Sequence, residues 1–442
     1  MYFTLKFVKR LLKTVNSQLN LRSRRHRFAR FGFDPPQQSF SRSSPRATEK
    51  VPDTKMMRAY RLIAPNQLAW QAVPEPLPAQ GEVLVRVIAC GVCGTDLHLK
   101  AQGHAQWRGS ALTLGHEIVA RVENFTAPDF ALTRPSPLSP EASGEGQGVR
   151  TTENYPASTE RGEAYSPSPF TERGQGGEVP LQPGTLVVID PQIVCGECYY
   201  CRRGRLNLCD HLEHIGLSID GGFAEYLAVP RRNLYALPPE VTPETCGYYA
   251  LAEPVATCVA GMNLANPRPD EIVAVVGLGF FGQVYLQLAR LWGAVHTIGI
   301  DPLPERRALA EQLGATATCP PEDLRALMEL TGGQGASVVI DSAGSPNAAQ
   351  TCIDIARKAG RIIVFGYRAQ PVQVDWYQIL VKELTVIGSR SSNHAWEQSL
   401  WLLQHRKLQL EPLFQFYPCE AIEQAFADAE ARRVYKPIVW MR

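Results

Sequence analysis

The chain has 442 residues, of which 45% are hydrophobic and 20% charged, a composition that fits a globular protein long enough for two domains. The formal charge of +2 conceals an asymmetry: residues 1–55 hold 13 of the 45 Lys/Arg but 3 of the 43 Asp/Glu, a balance of +10, which leaves −8 for the remainder. An acidic body gives no reason to expect nucleic acid as a partner, and the absence of a run of about eighteen apolar residues gives none to expect a membrane span.

In chain order, the first segment is the basic one. Phe7, Val8, Leu11, Leu12 and Val15 recur at helical spacing among Lys6, Lys9, Arg10 and Lys13. Such an acid-poor leader resembles an organelle transit peptide or a membrane-surface helix. The other reading is an upstream extension, with synthesis starting at Met56 or Met57. The extension is the reading taken here: residues 1–55 stand outside the fold, and the expected compartment is the cytoplasm. Residues 83–89 predict a strand entering a turn over Cys90–His98, and residues 118–123 predict another strand. From 126 to 180 the chain is rich in Pro, Ser, Gly, Glu and Thr. That stretch cannot bury enough apolar surface to offset its ordering entropy, and is expected to be a disordered loop insertion.

A strand at 185–189 leads into Cys195, Cys198, Cys201 and Cys209, a C-x2-C-x2-C-x7-C spacing. Four thiolates this close in sequence can surround one tetrahedral Zn²⁺ as a closed structural site. An iron–sulfur cluster is the rival metal reading, but the common bacterial run has a shorter last interval and a following Pro, where this chain has Asp210. Disulfides are a third reading, disfavoured because the other seven cysteines are scattered without a secreted framework. Gly221 to Tyr226 turns into a further strand.

From residue 272 the texture changes. Short apolar runs at 272–276, 297–300, 338–340, 362–365 and 384–387 alternate with helical stretches, which predicts a parallel sheet covered by helices, an α/β doubly wound domain. Gly277, Gly279 and Gly282 form G-x-G-x-x-G between the first of these strands and a helix. That motif suits a tight turn, a close approach of backbone to a pyrophosphate, and close helix–strand packing. The helix N-terminus supplies N–H groups for phosphates. A Gly-rich structural turn is the alternative. Asp301 ends the next strand, where a carboxylate can bind both ribose hydroxyls and repel a 2′-phosphate; this favours NAD over NADP. Arg306 and Arg307 lie close by, and Arg306 is included in the cofactor site.

Upstream lie Gly91-Val92-Cys93-Gly94-Thr95-Asp96-Leu97-His98 and Gly115-His116-Glu117, and downstream Ala252-Glu253-Pro254-Val255. With the four-cysteine run and the glycine motif, in this order, the chain resembles the zinc-dependent medium-chain dehydrogenase/reductase family of alcohol, polyol and threonine dehydrogenases. The resemblance covers about residues 57–442 apart from the insertion.

It implies a mainly β GroES-like catalytic domain over 56–255 that carries the 195–209 lobe, a Rossmann NAD-binding domain over 256–390, and a C-terminal return to the catalytic domain over 391–442. It also implies two zincs per chain. Cys93, His116, Glu117 and Glu253 match the catalytic ligands, and Cys195, Cys198, Cys201 and Cys209 the structural ones. Thr95 matches the hydroxyl that accepts the substrate proton, His98 the imidazole that passes it on, and Asp96 the carboxylate that orients His116. Glu253 stands where the liver-type alcohol dehydrogenases have Cys and the polyol branch has Glu; read by itself, it could be a helix-start carboxylate. Arg390 roughly matches a branch position near the substrate.

The expected reaction is NAD-dependent hydride transfer from a secondary alcohol: a polyol, diol, sugar alcohol or hydroxy amino acid. The alternatives are a primary-alcohol or aldehyde reductase of the same family and a non-catalytic nucleotide-binding protein on this fold. The expected partners are a small-molecule substrate and copies of the chain in a homodimer or homotetramer, with no nucleic acid and no membrane.

Overall fold

The structure is a computed structural model that describes residues 55–103, 111–125, 181–367 and 371–442. The expectations for the basic leader, up to residue 54, and for the whole 126–180 insertion fall outside those residues. The first half of the chain is built of strands β1 (Met56–Ala64), β2 (Gln67–Pro74), β3 (Glu82–Gly91), β4 (Leu112–Thr113), β5 (Glu117–Phe125), β6 (Leu186–Ile189), β7 (Gln192–Ile193), β8 (Glu213–His214), β9 (Tyr226–Pro230) and β10 (Leu234–Ala236), with helix α1 (Gly94–Gln102) after β3. A 14-residue helix, α2 (Ala252–Ala265), closes this half. Twelve of its residues are buried, as expected of a helix apolar on every side that runs through the interior.

The second half alternates strand and helix. β11 (Ile272–Val276), β12 (His296–Ile300), β13 (Ala317–Cys319), β14 (Ala336–Asp341), β15 (Ala356–Val364) and β16 (Thr385–Gly388) pair in parallel in the order β13-β12-β11-β14-β15-β16. This is the doubly wound order whose switch point lies beside the first strand. Helix α3 (Phe280–Leu291) follows β11 directly. The expected strands all form, with ends unchanged or shifted by up to six residues; the short edge strand β13 carries too little periodicity in its three residues to be read from sequence.

Two terminal strands, β17 (Gln415–Tyr417) and β18 (Pro437–Trp440), leave the second half and join the first. The larger sheet runs β10-β6-β5-β3-β18-β17, with β9 also on β3. β3 is therefore flanked at its end by β5 and β18: Gly91 stands opposite both Glu117 and Ile438. The helix Trp396–Gln404 packs instead on α2. The expected division at residue 255 falls inside α2, and the return to the first sheet begins beyond that later helix. No helix among the described residues is long and apolar enough to cross a membrane.

Candidate active site

Where a turn was expected after Cys90, the chain enters α1, with Cys93 as its N-cap. Asp96, fully buried, is the third residue of that helix and accepts from the Cys93 N–H at 2.8 Å, one half of a capping box. Its other oxygen accepts from the Gly115 N–H at 3.2 Å and lies 3.6 Å from His116 Nδ1. The carboxylate thus clamps the backbone on both sides of the site. It faces the imidazole rather than forming a short hydrogen bond to it, a refinement of the orienting role implied by resemblance. Thr95 Oγ1 lies 3.7 Å from Cys93 Sγ. His98, three residues on and one turn along the same face, is exposed, and its ring lies 4.8 Å from that of Tyr367.

Cys93, His116 and Glu117 are all buried, with donor atoms within 4.8 Å of one another. Glu117 Oε1 accepts from Lys436 Nζ at 2.5 Å, a pair separated by 319 positions in sequence and almost wholly buried. Among the described residues Glu117 Oε2 has no hydrogen-bond partner. The sheet explains the meeting. Residues at the ends of β5 and β18 face each other across Gly91, and a Cβ on Gly91 would overlap Glu117 Oε2. Glu253, in the first turn of α2, is buried beside this group but outside the 4.8 Å cluster.

The electrostatics are those of a site short of positive charge. Burial works against the His116 cation, but Asp96 and Cys93 outweigh it and raise the imidazole well above its usual value. Burial pushes Glu253 up to about 7, with Glu117 adding to the rise and His116 and Lys436 opposing it. Lys436 is raised despite its burial, chiefly by Glu117 and Cys93. A buried thiol, imidazole and carboxylate with an orphan oxygen fit a divalent cation of the zinc type, and three protein ligands leave a coordination position open.

The cofactor loop adjoins this group. Lys436 Nζ lies 5.1 Å from the Phe280 ring and 5.5 Å from that of Phe281, the first residues of α3. Gly277 adopts φ +92°, and a Cβ on Gly282 would overlap the Gly277 carbonyl oxygen, while Gly279 faces open space. These are the demands of a tight turn, close helix–strand packing and an approaching ligand. Asp301 is buried at the end of β12; it accepts from the Leu278 N–H at 2.8 Å and the Leu303 N–H at 2.9 Å. Arg306 Nη1 lies 3.5 Å from the same carboxylate, and Arg307 turns away to the Asp301 and Pro302 carbonyls.

The four cysteines of the lobe also come together, with sulfur atoms within 4.8 Å of one another. Their sulfurs accept from the Cys195, Cys198, Cys201 and His211 N–H groups at 3.4–3.5 Å, an arrangement that favours thiolates. All eleven cysteines are among the described residues and none is in a disulfide, which removes that reading.

Two residues near the site carried no usable sequence signal. Lys436 is one; only the pairing of β18 with β3 reveals it. His214 is the other: its ring stands edge-on to His116, with centroids 5.7 Å apart at 79°.

Family comparisons agree with this geometry. The family described as alcohol dehydrogenase GroES-like domain matches residues 79–132 and 172–239, and the one described as zinc-binding dehydrogenase matches 281–405. L-threonine 3-dehydrogenase of Pyrococcus abyssi is 30% identical over 385 residues, covering 84% of this chain and 94% of that protein. The chain belongs to the zinc-dependent medium-chain dehydrogenase family. Sorbitol dehydrogenase of Halalkalibacterium halodurans is also 30% identical, over 354 residues that cover 79% of this chain and 88% of that enzyme. Among solved structures, a zinc-binding dehydrogenase candidate of Sinorhizobium meliloti 1021 bound to NADP superposes with a TM-score of 0.69 at 27% identity, covering 87% of this chain and 99% of that one. The protein is thus a zinc-dependent oxidoreductase that uses a nicotinamide dinucleotide.

Proposed function

We propose that the protein oxidises a secondary alcohol of the polyol, diol, sugar-alcohol or hydroxy-amino-acid type with NAD, or runs the reverse reduction. The observation that carries this reading is the Glu253 carboxylate, buried beside the Cys93, His116 and Glu117 donors, where a liver-type enzyme would have a thiolate. Cys93 and His116 would hold the catalytic zinc, with Glu117 and Glu253 as carboxylates able to join or leave it. Cys195, Cys198, Cys201 and Cys209 would hold the structural one. When bound, zinc supplies Lewis acidity that lowers the pKa of an alcohol oxygen, and the nicotinamide supplies the hydride acceptor.

The chain's own residues do the rest. Thr95 accepts the proton of the substrate hydroxyl. His98, exposed at the rim, hands it to solvent, a task suited to an imidazole. Lys436 holds Glu117 in place and presents its charge to the mouth of the glycine loop. Gly277, Gly279 and Gly282 admit the pyrophosphate. Asp301 keeps oxygen lone pairs for ribose hydroxyls beyond the two N–H groups it binds, and its charge disfavours a 2′-phosphate, with Arg306 tempering the preference.

Assembly through the open edge of the parallel sheet is part of the same reading. Among the described residues β16 has no strand beyond it in that sheet. Val386 on it, and Trp376, Tyr377, Leu380 and Val381 on the preceding helix Trp376–Val381, are 47–73% exposed, which supports pairing with a second copy.

The test is a kinetic panel of ethanol, 2-butanol, 2,3-butanediol, sorbitol and L-threonine with NAD and with NADP. The expected outcome is a kcat/KM at least about tenfold higher for one of the diol, polyol or amino-acid substrates than for ethanol, and higher with NAD than with NADP. Ethanol as the best substrate would overturn the polyol reading and favour the primary-alcohol alternative.

A further inference from the structure

His214 lies five residues past Cys209, the last cysteine of the lobe, on the two-stranded ribbon where it pairs with Gln192. Its Nδ1 is 3.0 Å from the Ile215 carbonyl oxygen. A carbonyl only accepts, so Nδ1 carries the proton and Nε2 is left as an acceptor. The ring backbone is fixed as well, with the His214 N–H donated to Ser218 Oγ at 2.8 Å. The imidazole is edge-on to His116 but does not belong to the Cys93–His116–Glu117 donor group. Among the described residues no hydrogen bond to its Nε2 is present, and the residue is half-buried.

We infer that His214 recognises the substrate, its Nε2 accepting a hydrogen bond from a second hydroxyl on the carbon next to the one oxidised. The inference rests on the secondary-alcohol reading above and narrows its substrate class to vicinal diols and polyols. The offset fits. The reacting oxygen belongs beside the donor group that includes His116, and the neighbouring imidazole stands edge-on to that ring with 5.7 Å between centroids, close enough to meet a hydroxyl on the adjacent carbon. An acceptor held in one tautomer by its own backbone is suited to discrimination, because a buried polar group left without its partner penalises the substrate that lacks the hydroxyl. His214 adds no reacting group; it sets the preference between substrates.

The experiment compares 2,3-butanediol with 2-butanol, which lacks the second hydroxyl, for the wild-type enzyme, His214→Phe and His214→Gln, all in the zinc-loaded form. Zinc content and NADH affinity are measured alongside. The wild type is expected to favour the diol. His214→Phe should lower the ratio of the two kcat/KM values by about 10- to 100-fold, mainly through KM for the diol, and His214→Gln, which keeps an acceptor, should restore a substantial part of it. Zinc content and NADH affinity should match the wild type. An unchanged ratio in His214→Phe, an equal loss on both alcohols, or loss of zinc with the substitution overturns the inference. A wild type that oxidises 2-butanol but not the diol overturns it while leaving the secondary-alcohol reading intact. A wild type that oxidises neither overturns this inference, and the secondary-alcohol reading falls with it only if sorbitol and L-threonine are refused as well.

Discussion

At the scale of single residues, Asp96 does more than its place beside a histidine implies. It joins two segments that no local motif connects, the Cys93 N–H at 2.8 Å and the Gly115 N–H at 3.2 Å, and it does so fully buried. Removing the carboxylate strands two buried donors, each costing about 1–3 kcal/mol. Asp96→Ala is therefore expected to lower unfolding free energy by about 2–6 kcal/mol and to weaken metal binding at the adjacent cluster by about 10- to 100-fold. Chemical denaturation and competitive zinc titration would measure the two effects. Loss of stability with unaltered zinc affinity would confine Asp96 to a helix-capping role. His214 is the contrary case: its chemistry was visible in the letter code, but nothing in the local pattern says that it stands against His116.

At the scale of elements, the passage from β11 through the glycine loop into α3 was legible because three local demands coincide. A buried apolar strand, a positive φ at Gly277 and a helix start fall in one short stretch. Gly282 has the tightest of these constraints, since a Cβ there would overlap the Gly277 carbonyl oxygen and force α3 away from the loop. Gly282→Ala is expected to raise the NADH dissociation constant by at least about tenfold, as the backbone N–H groups lose their aim, with fluorescence titration as the measurement. An unchanged affinity would mean that the loop relaxes freely. The β1–β2 hairpin and α1 were less legible. Asn66 at φ 62° makes the hairpin turn, but the strands on either side are only partly buried and lack a clean alternation. α1 is short and its cap is a cysteine, which is not among the strong N-cap residues.

At the scale of the whole molecule, the cysteine lobe is tied to the chain that follows the parallel sheet. Asn207 Nδ2 donates to the Arg390 carbonyl at 2.9 Å, the Leu206 N–H donates to Asn393 Oδ1 at 3.1 Å, and His394 Nε2 lies 2.7 Å from the Gly204 carbonyl oxygen. The lobe thus braces residues of both halves, and a metal there would contribute to stability, while the Cys93 site would contribute to chemistry. Cys93→Ser is expected to abolish turnover and leave one tightly held zinc per chain, with a melting temperature close to the wild type. Cys201→Ser is expected to lower the melting temperature by several degrees or prevent folding, because structural zinc binding is coupled to folding. Zinc analysis and calorimetry on the two variants separate the sites. Departure of both metals from either variant would mean that they form one cooperative unit.

Family resemblance pointed to a thiol, an imidazole and carboxylates as donors for a catalytic metal, and the sequence by itself determined the local chemistry: which cysteines cluster, where a dinucleotide loop opens a helix, and where buried parallel strands run. Those features depend on spacings of a few residues, which the backbone converts directly into geometry. Only the tertiary structure decided that Lys436 meets Glu117 across Gly91, that Asp96 clamps two backbone segments, that Glu253 stands beside the donor cluster rather than within it, and that His214 faces His116. Each of these depends on strand pairing or helix placement between residues far apart in the chain, where side chains have no local period to betray them and proximity is set by the packing of the whole core.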